Sequence, residues 1–372
     1  MAPILLLGLL LASFGYGVLV GKYRYPPHDG LAALAERLSP PPAPRLALPP
    51  VDVAGLIRLP DAAAVAARRA ALWRFILGQP TPPVGRLPDT VEAVVEHPFR
   101  DLAGIDRAER WRVAMDHGLA SIGYFLRPAS ANGRLLIYHQ GHAGGVVLGR
   151  DTVDFFLGHG YAVVALAMPL VGENPRPRVE VAGLGPLWIS RHDYLPFIPP
   201  GAGSPIRYFV EPVLAAVNRA ERLGYRDIAM LGLSGGGWTT TLYAALDPRI
   251  RYSFPVAGSE PLYSRATLVE RHWGDYEQIL PGLYRIANYP ELYVLGAVGE
   301  GRRQLQIFNA LDPCCYEGSH VDSYLGPVRE ALTRLGGGRF QVWLDTGHRE
   351  HRISDAARER VLAALDEGAG YD

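Results

Sequence analysis

From about residue 90 onward, short runs of consecutive apolar residues alternate with segments whose apolar positions recur every three to four residues. The first kind reads as buried strands and the second as amphipathic helices. Strands are predicted at 134–138 (RLLIY), 161–167 (YAVVALA), 227–232 (DIAMLG), 250–256, 304–309 (QLQIFN) and 340–344 (FQVWL). Helices are predicted at 151–157, 206–223, 235–246, within 322–335 and at 354–365, the last with Ser354 as its N-cap. Trp111–Met115 and Ile122–Leu126 read as an antiparallel pair of strands ahead of these. Apolar strands alternating with helices imply an α/β fold, a mostly parallel sheet covered on both faces. Residues 169–205 and 259–290 interrupt the alternation; both are long, aromatic and rich in Pro or Gly. Loops of that length are usually lids or binding loops, and each follows a strand, so each is expected over the carboxyl edge of the sheet.

The N-terminal part has a different pattern. Ile4 to Val20 is almost wholly apolar, and Lys22, Tyr23, Arg24 and Tyr25 follow it. About 20 helical residues reach ~30 Å, the thickness of a bilayer core. Residues 1–24 are therefore expected to be a single-pass membrane anchor. A cleaved signal peptide, giving a secreted or periplasmic product, is the alternative, but basic residues before the run and a small-residue cleavage site after it are missing. The positive charge on the C-terminal side of the run favours a cytoplasmic catalytic domain. Residues 25–89 read as a Pro-rich linker followed by a helix over 61–78, with Trp73, Phe75, Ile76 and Leu77 available for docking. Residues 90–372 form the expected catalytic domain.

Composition narrows the function classes. The 372 residues carry 37 basic and 37 acidic side chains, so there is no basic field and nucleic acid is not an expected partner. The two cysteines, Cys314 and Cys315, are adjacent, which excludes a disulfide framework, and two buried thiols are the expectation.

Gly232-Leu233-Ser234-Gly235-Gly236 matches G-x-S-x-G between an apolar strand and a helix. The context matters more than the string. A serine forced into a strained strand-to-helix bend needs nearly side-chain-free residues two before and two after it. The bend lifts the hydroxyl above the sheet and aims the helix N-terminus at developing negative charge.

On these motifs the chain resembles the α/β-hydrolase superfamily of serine hydrolases, over residues 90–368. The resemblance implies a nucleophile, an acid and a histidine in that order on successive strand-end loops. It implies an ester hydrolase, less readily an amidase, working through an acyl-Ser234 intermediate. His348, after the last strand, is the first candidate for the base, with His351 as the alternative. Asp312, the first carboxylate after the strand at 304–309, is the candidate acid, with Glu260 as the alternative. Gly235 is expected to supply one oxyanion N–H and His142 the other, with Gly141 shaping the turn in Gln140-Gly141-His142. The His139 and His142 side chains are expected only to brace that loop.

Trp188, Tyr194, Phe197, Tyr263, Trp273 and Tyr276 are candidates for lining a substrate pocket. Arg191, His192, Arg271 and His272 are candidates for meeting an anionic group. No metal or organic cofactor is implied. The competing readings are a prolyl-oligopeptidase-like peptidase, a hydrolase-fold binding module without catalysis, and an acyltransferase.

Overall fold

The computed structural model describes residues 12–18, 20, 27, 47, 48, 50–265 and 273–369. The chain divides into two compact units, 1–44 and 45–372.

In the first unit the described segment is helical at 12–18. The expected membrane anchor is corrected: no helix among the described residues is long and apolar enough to cross a membrane. Crossing takes about 20 helical residues, and seven are described in sequence here. Residues 1–11, 19 and 21–24, which carry the rest of that expectation, lie outside the described residues. The membrane partner and the single-pass location rested on the anchor and fall with it.

The second unit is built on a nine-stranded sheet, in the order β1-β2-β3-β5-β4-β8-β9-β10-β11. β1 (Thr90–Ala93), β2 (Ile105–Ala114) and β3 (Ala120–Pro128) are antiparallel, and β3 pairs antiparallel with β5 (Ala162–Ala167). From β5 through β4 (Leu135–Gln140), β8 (Ile228–Leu233), β9 (Ile250–Val256), β10 (Arg303–Asn309) and β11 (Arg339–Asp345) every pairing is parallel. β4, β5 and β8 are buried at every position, which is why they read as unbroken apolar runs rather than alternating ones.

Alternate residues of each central strand feed different cores. Leu135, Ile137, Val164 and Met230 pack with α1 (Ala62–Leu77), α3 (Arg207–Arg222), α4 (Gly235–Leu246), α5 (Tyr289–Ala297) and α6 (Asp322–Arg334). Leu136, Tyr138, Val163 and Leu231 pack with α2 (Arg150–Gly158) and α7 (Asp355–Ala369). The period of two along a strand thus yields helices on both faces.

α1 is part of this body. Its N-cap Asp61 accepts from the Ala64 amide at 2.7 Å, and Gly78 ends it in the left-handed region at φ 79°. Leu72 and Ile76 are fully buried, and Trp73 Nε1 donates to the Leu246 carbonyl at 3.2 Å. The two interruptions have structure of their own. The first carries a hairpin, β6 (Arg178–Val181) with β7 (Gly185–Trp188). The second carries the short helix Tyr276–Ile279; its residues 266–272, with Arg271 and His272, lie outside the described residues.

Candidate active site

β8 ends at Leu233 and α4 begins at Gly235, leaving Ser234 at the bend with φ 57° and ψ −122°. A non-glycine residue there stores strain of about 1–3 kcal/mol. The surroundings hold it: the Ser234 amide donates to the Val256 carbonyl at 2.8 Å, and its carbonyl accepts from the Trp238 amide at 2.9 Å. The flanking glycines are obligatory. A Cβ on Gly232 would fall 2.2 Å from the Gly236 carbonyl oxygen, and one on Gly236 would fall 2.0 Å from the His139 carbonyl oxygen. The hydroxyls of Thr239, Thr240 and Thr241 each donate one turn back to the carbonyls of Gly235, Gly236 and Gly237.

Gly141 faces the bend at the end of β4. A Cβ on it would stand 2.8 Å from Ser234 Cβ and 3.2 Å from the Gly235 nitrogen. The amides of Gly235 and His142 have no acceptor among the described residues. Behind them His139 is buried, with Nδ1 3.0 Å from the Gln140 carbonyl. Burial lowers its pKa to about 4, so the ring is neutral and braces the loop.

Asp312 lies in the loop after β10, and His348 and His351 in the loop after β11. Both loops leave the carboxyl edge that Ser234 occupies, because β8, β9, β10 and β11 are parallel neighbours. Asp312 is buried; its Oδ1 accepts from the Cys314 amide at 2.7 Å and its Oδ2 meets His351 Nδ1 at 2.5 Å. His351 Nε2 is buried without a hydrogen-bond partner among the described residues. The Ser234 hydroxyl likewise has no hydrogen-bond partner among the described residues.

His348, the first candidate from the sequence, is not the histidine that Asp312 meets. Its Nε2 lies 3.2 Å from Asp345 Oδ2, and its Nδ1 accepts from the Glu350 amide at 3.2 Å. Asp345 also accepts from the Gly347 amide and the Ser354 hydroxyl, while Ser354 caps α7 through the Ala357 amide at 3.0 Å. Both ring nitrogens of His348 are thus committed to the base of the loop. Glu260, the alternative acid, is buried and accepts from the Gly318 amide at 2.7 Å.

The cysteine expectation is corrected as well. Cys314 is exposed and Cys315 half-buried, and they are joined to each other in a disulfide. The turn after Pro313 presents the pair at the surface instead of packing it inside.

A second cluster was not foreseen. Glu277, fully buried on the short helix of the second interruption, places Oε1 2.9 Å from His142 Nε2 and 3.2 Å from His192 Nδ1. Asp275 adds a contact to His142 at 3.1 Å. Burial alone would raise the Glu277 pKa, but the His192 charge and hydrogen bonds from both histidines bring it to about 2. Burial likewise works against charge on His192, yet Glu277 holds its pKa above the usual value. His192 Nε2 also reaches the Pro169 carbonyl at 2.9 Å, as a doubly protonated ring requires. In sequence, Glu277 looks like any acid in a first helical turn, so nothing marked it.

Among the pocket candidates, Trp188, Tyr194 and Phe197 are exposed and line a surface groove of about 570 Å³ with Leu184, Pro186, Leu187 and Ser190. Tyr263 donates to or accepts from Ser323 Oγ at 2.8 Å, Trp273 is exposed and Tyr276 half-buried. Arg191 is exposed and pairs with Asp193.

No protein-family model and no curated protein sequence matches the chain. Solved structures do. The chain is similar to an acetyl xylan esterase from Paenibacillus sp. R4, with TM-score 0.53 and 14% identity over 86% of this chain and 99% of that one. It is similar to acetyl xylan esterase 1 from Thermoanaerobacterium sp. JW/SL YS485, with TM-score 0.53 and 14% identity over 88% and 100%. It is also similar to methylesterase BT1017, with TM-score 0.50 and 18% identity over 89% and 70%. With its parallel sheet, the strained serine between β8 and α4 and these neighbours, the chain has the α/β-hydrolase fold.

Proposed function

We propose that the protein is a serine hydrolase that cleaves carboxylic esters through an acyl-Ser234 intermediate, with His351 as the base and Asp312 as its partner. One observation carries the reading. Asp312 accepts a hydrogen bond from His351 Nδ1–H, which leaves the ring's lone pair on Nε2, and that nitrogen is buried with no other partner among the described residues. His348 has no nitrogen left for this role. The serine-to-histidine contact is the one that often closes only when substrate is bound.

In this reading the Ser234 oxygen attacks the ester carbonyl while His351 Nε2 takes its proton. The oxyanion develops against the Gly235 and His142 amides at the start of α4, where two free N–H groups and the helix dipole favour negative charge. His351 returns the proton to the departing alkoxide, and water releases the acyl group by the same path. Ester rather than amide is supported by the neighbours, whose names are acetyl xylan esterase and methylesterase.

The test is active-site labelling together with turnover. A fluorophosphonate probe should label the wild-type chain and fail to label Ser234→Ala, and p-nitrophenyl acetate should be hydrolysed faster than peptide amides. Undiminished labelling of Ser234→Ala rejects the nucleophile. Preference for amides points to a peptidase, and neither labelling nor turnover points to a binding module.

A further inference from the structure

Cys314 and Cys315 are two and three residues beyond Asp312, and they are the chain's full complement of cysteine. Their two sulfurs and a ring nitrogen of His351 all lie within 4.8 Å of one another. Asp312 Oδ2 holds His351 Nδ1, so the ring nitrogen left to bind an ion is Nε2, which is buried with no hydrogen-bond partner among the described residues. A carboxylate on one imidazole nitrogen with the other left free is the arrangement that orients a metal-binding histidine and raises its basicity.

In the disulfide the sulfurs are neutral and bonded to each other, and they are poor ligands. Opened, they become two thiols whose thiolates, with an imidazole, make the donor set that zinc and cadmium prefer. Tetrahedral zinc with bonds of about 2.0–2.3 Å needs its donors roughly 3.5–3.8 Å apart. Donors already confined within 4.8 Å lie close to that requirement, and opening the bond between the sulfurs lets them part to it.

We propose that, once reduced, Cys314, Cys315 and His351 form a three-ligand site for a thiophilic divalent cation, Zn²⁺ or Cd²⁺, and that an ion there stops hydrolysis. The site itself stands on the cluster's geometry. Its inhibitory effect rests on the proposed function, because the ion takes the same Nε2 lone pair that accepts the Ser234 proton. The disulfide then protects the base against metal capture, and reduction exposes it.

Reduction is a two-electron step, and a water-soluble trialkylphosphine supplies it. Phosphorus attacks one sulfur and the other leaves as thiolate. Water then hydrolyses the phosphonium adduct, so that disulfide, phosphine and water give two thiols and phosphine oxide. Metal binding displaces the two thiol protons to solvent.

The experiment uses the full chain, oxidised or reduced with phosphine and desalted without oxygen, alongside Cys315→Ser and His351→Gln. Zinc bound per chain is measured by equilibrium dialysis, and Cd²⁺ binding by the ultraviolet thiolate charge-transfer band. Thermal melts confirm that each variant is folded. The reduced wild type should bind one ion per chain. The oxidised protein and both variants should bind at least 10–100-fold more weakly, since losing a ligand costs no less than losing the group behind one. Zn²⁺ should suppress p-nitrophenyl acetate hydrolysis by the reduced wild type and spare the oxidised protein and Cys315→Ser. Equal zinc binding by oxidised and reduced chains, or binding untouched by Cys315→Ser, overturns the site. One ion bound by a chain that hydrolyses no ester supports the site and overturns its inhibitory effect together with the reading of the function.

Discussion

Asp312 and His351 stand 2.5 Å apart although 39 residues separate them in the chain, and the contact leaves the far nitrogen of the ring unpaired. His348, three residues away from His351, instead spends both nitrogens inside its own loop. The two histidines should therefore respond differently to the same change. His351→Gln should lower kcat/KM for p-nitrophenyl acetate by about 10⁶-fold, as loss of a triad histidine does. His348→Gln should keep activity within about tenfold and lower urea stability by ~1–2 kcal/mol. The opposite pattern would move the base to His348.

The two aspartates divide in the same way. Asp312→Asn removes the charge that fixes the His351 tautomer, so kcat should fall by about 10³–10⁴-fold with KM little changed. Asp345→Asn weakens the bonds to Gly347, Ser354 and His348. It should cost about 1–3 kcal/mol of stability, read by urea denaturation, while the surviving activity keeps its wild-type kcat.

Steric necessity at the bend is testable with one methyl group. In Gly236→Ala the new carbon would overlap the His139 carbonyl oxygen, which belongs to the backbone of β4 and cannot swing away. The variant should lose about 1–3 kcal/mol or more and most of its labelling by the fluorophosphonate. Gly144→Ala is the control: its new methyl meets the end of the Leu148 side chain, which can rotate, so its melting temperature should match the wild type.

Glu277 and His192 make stability depend on pH with a definite sign. The Glu277 pKa is depressed to about 2 from 4.5, so its contribution is complete above about 4.5 and is lost as pH falls towards 2. The His192 pKa is raised above 6.5, so its contribution is complete below 6.5 and is lost as pH rises through the folded value. Both describe one charge pair, with His142 and Asp275 beside it. The difference in urea midpoint between wild type and Glu277→Gln should be largest between about pH 4.5 and 6.5 and shrink on either side. A difference that does not vary with pH would leave the pair with no electrostatic role.

The interruptions show where local pattern stops being informative. The stretch 169–205 carries a hairpin whose strands are four residues each and alternate between exposed and half-buried positions, so they form no apolar run. Glu277 meets histidines 135 and 85 residues away. No window on the sequence contains such a contact, and a buried acid there reads as an ordinary cap. The N-terminal run misled in the other direction: apolar length alone suggested a bilayer span, and no described helix has one.

By itself the sequence determined the order of the buried parallel strands and the long helices between them, because a strand buried on both faces must be apolar throughout and a helix must repeat its apolar face every turn. It also determined the strained serine, because only glycine leaves room on both sides of so sharp a bend. Tertiary structure alone decided which histidine Asp312 engages, that the paired cysteines bond to each other beside it, and that the two interruptions meet the loop after β4 through one buried acid. His348 and His351 have nearly the same address along the chain; what separates them is the direction in which a short loop presents each ring to groups brought in by other strands.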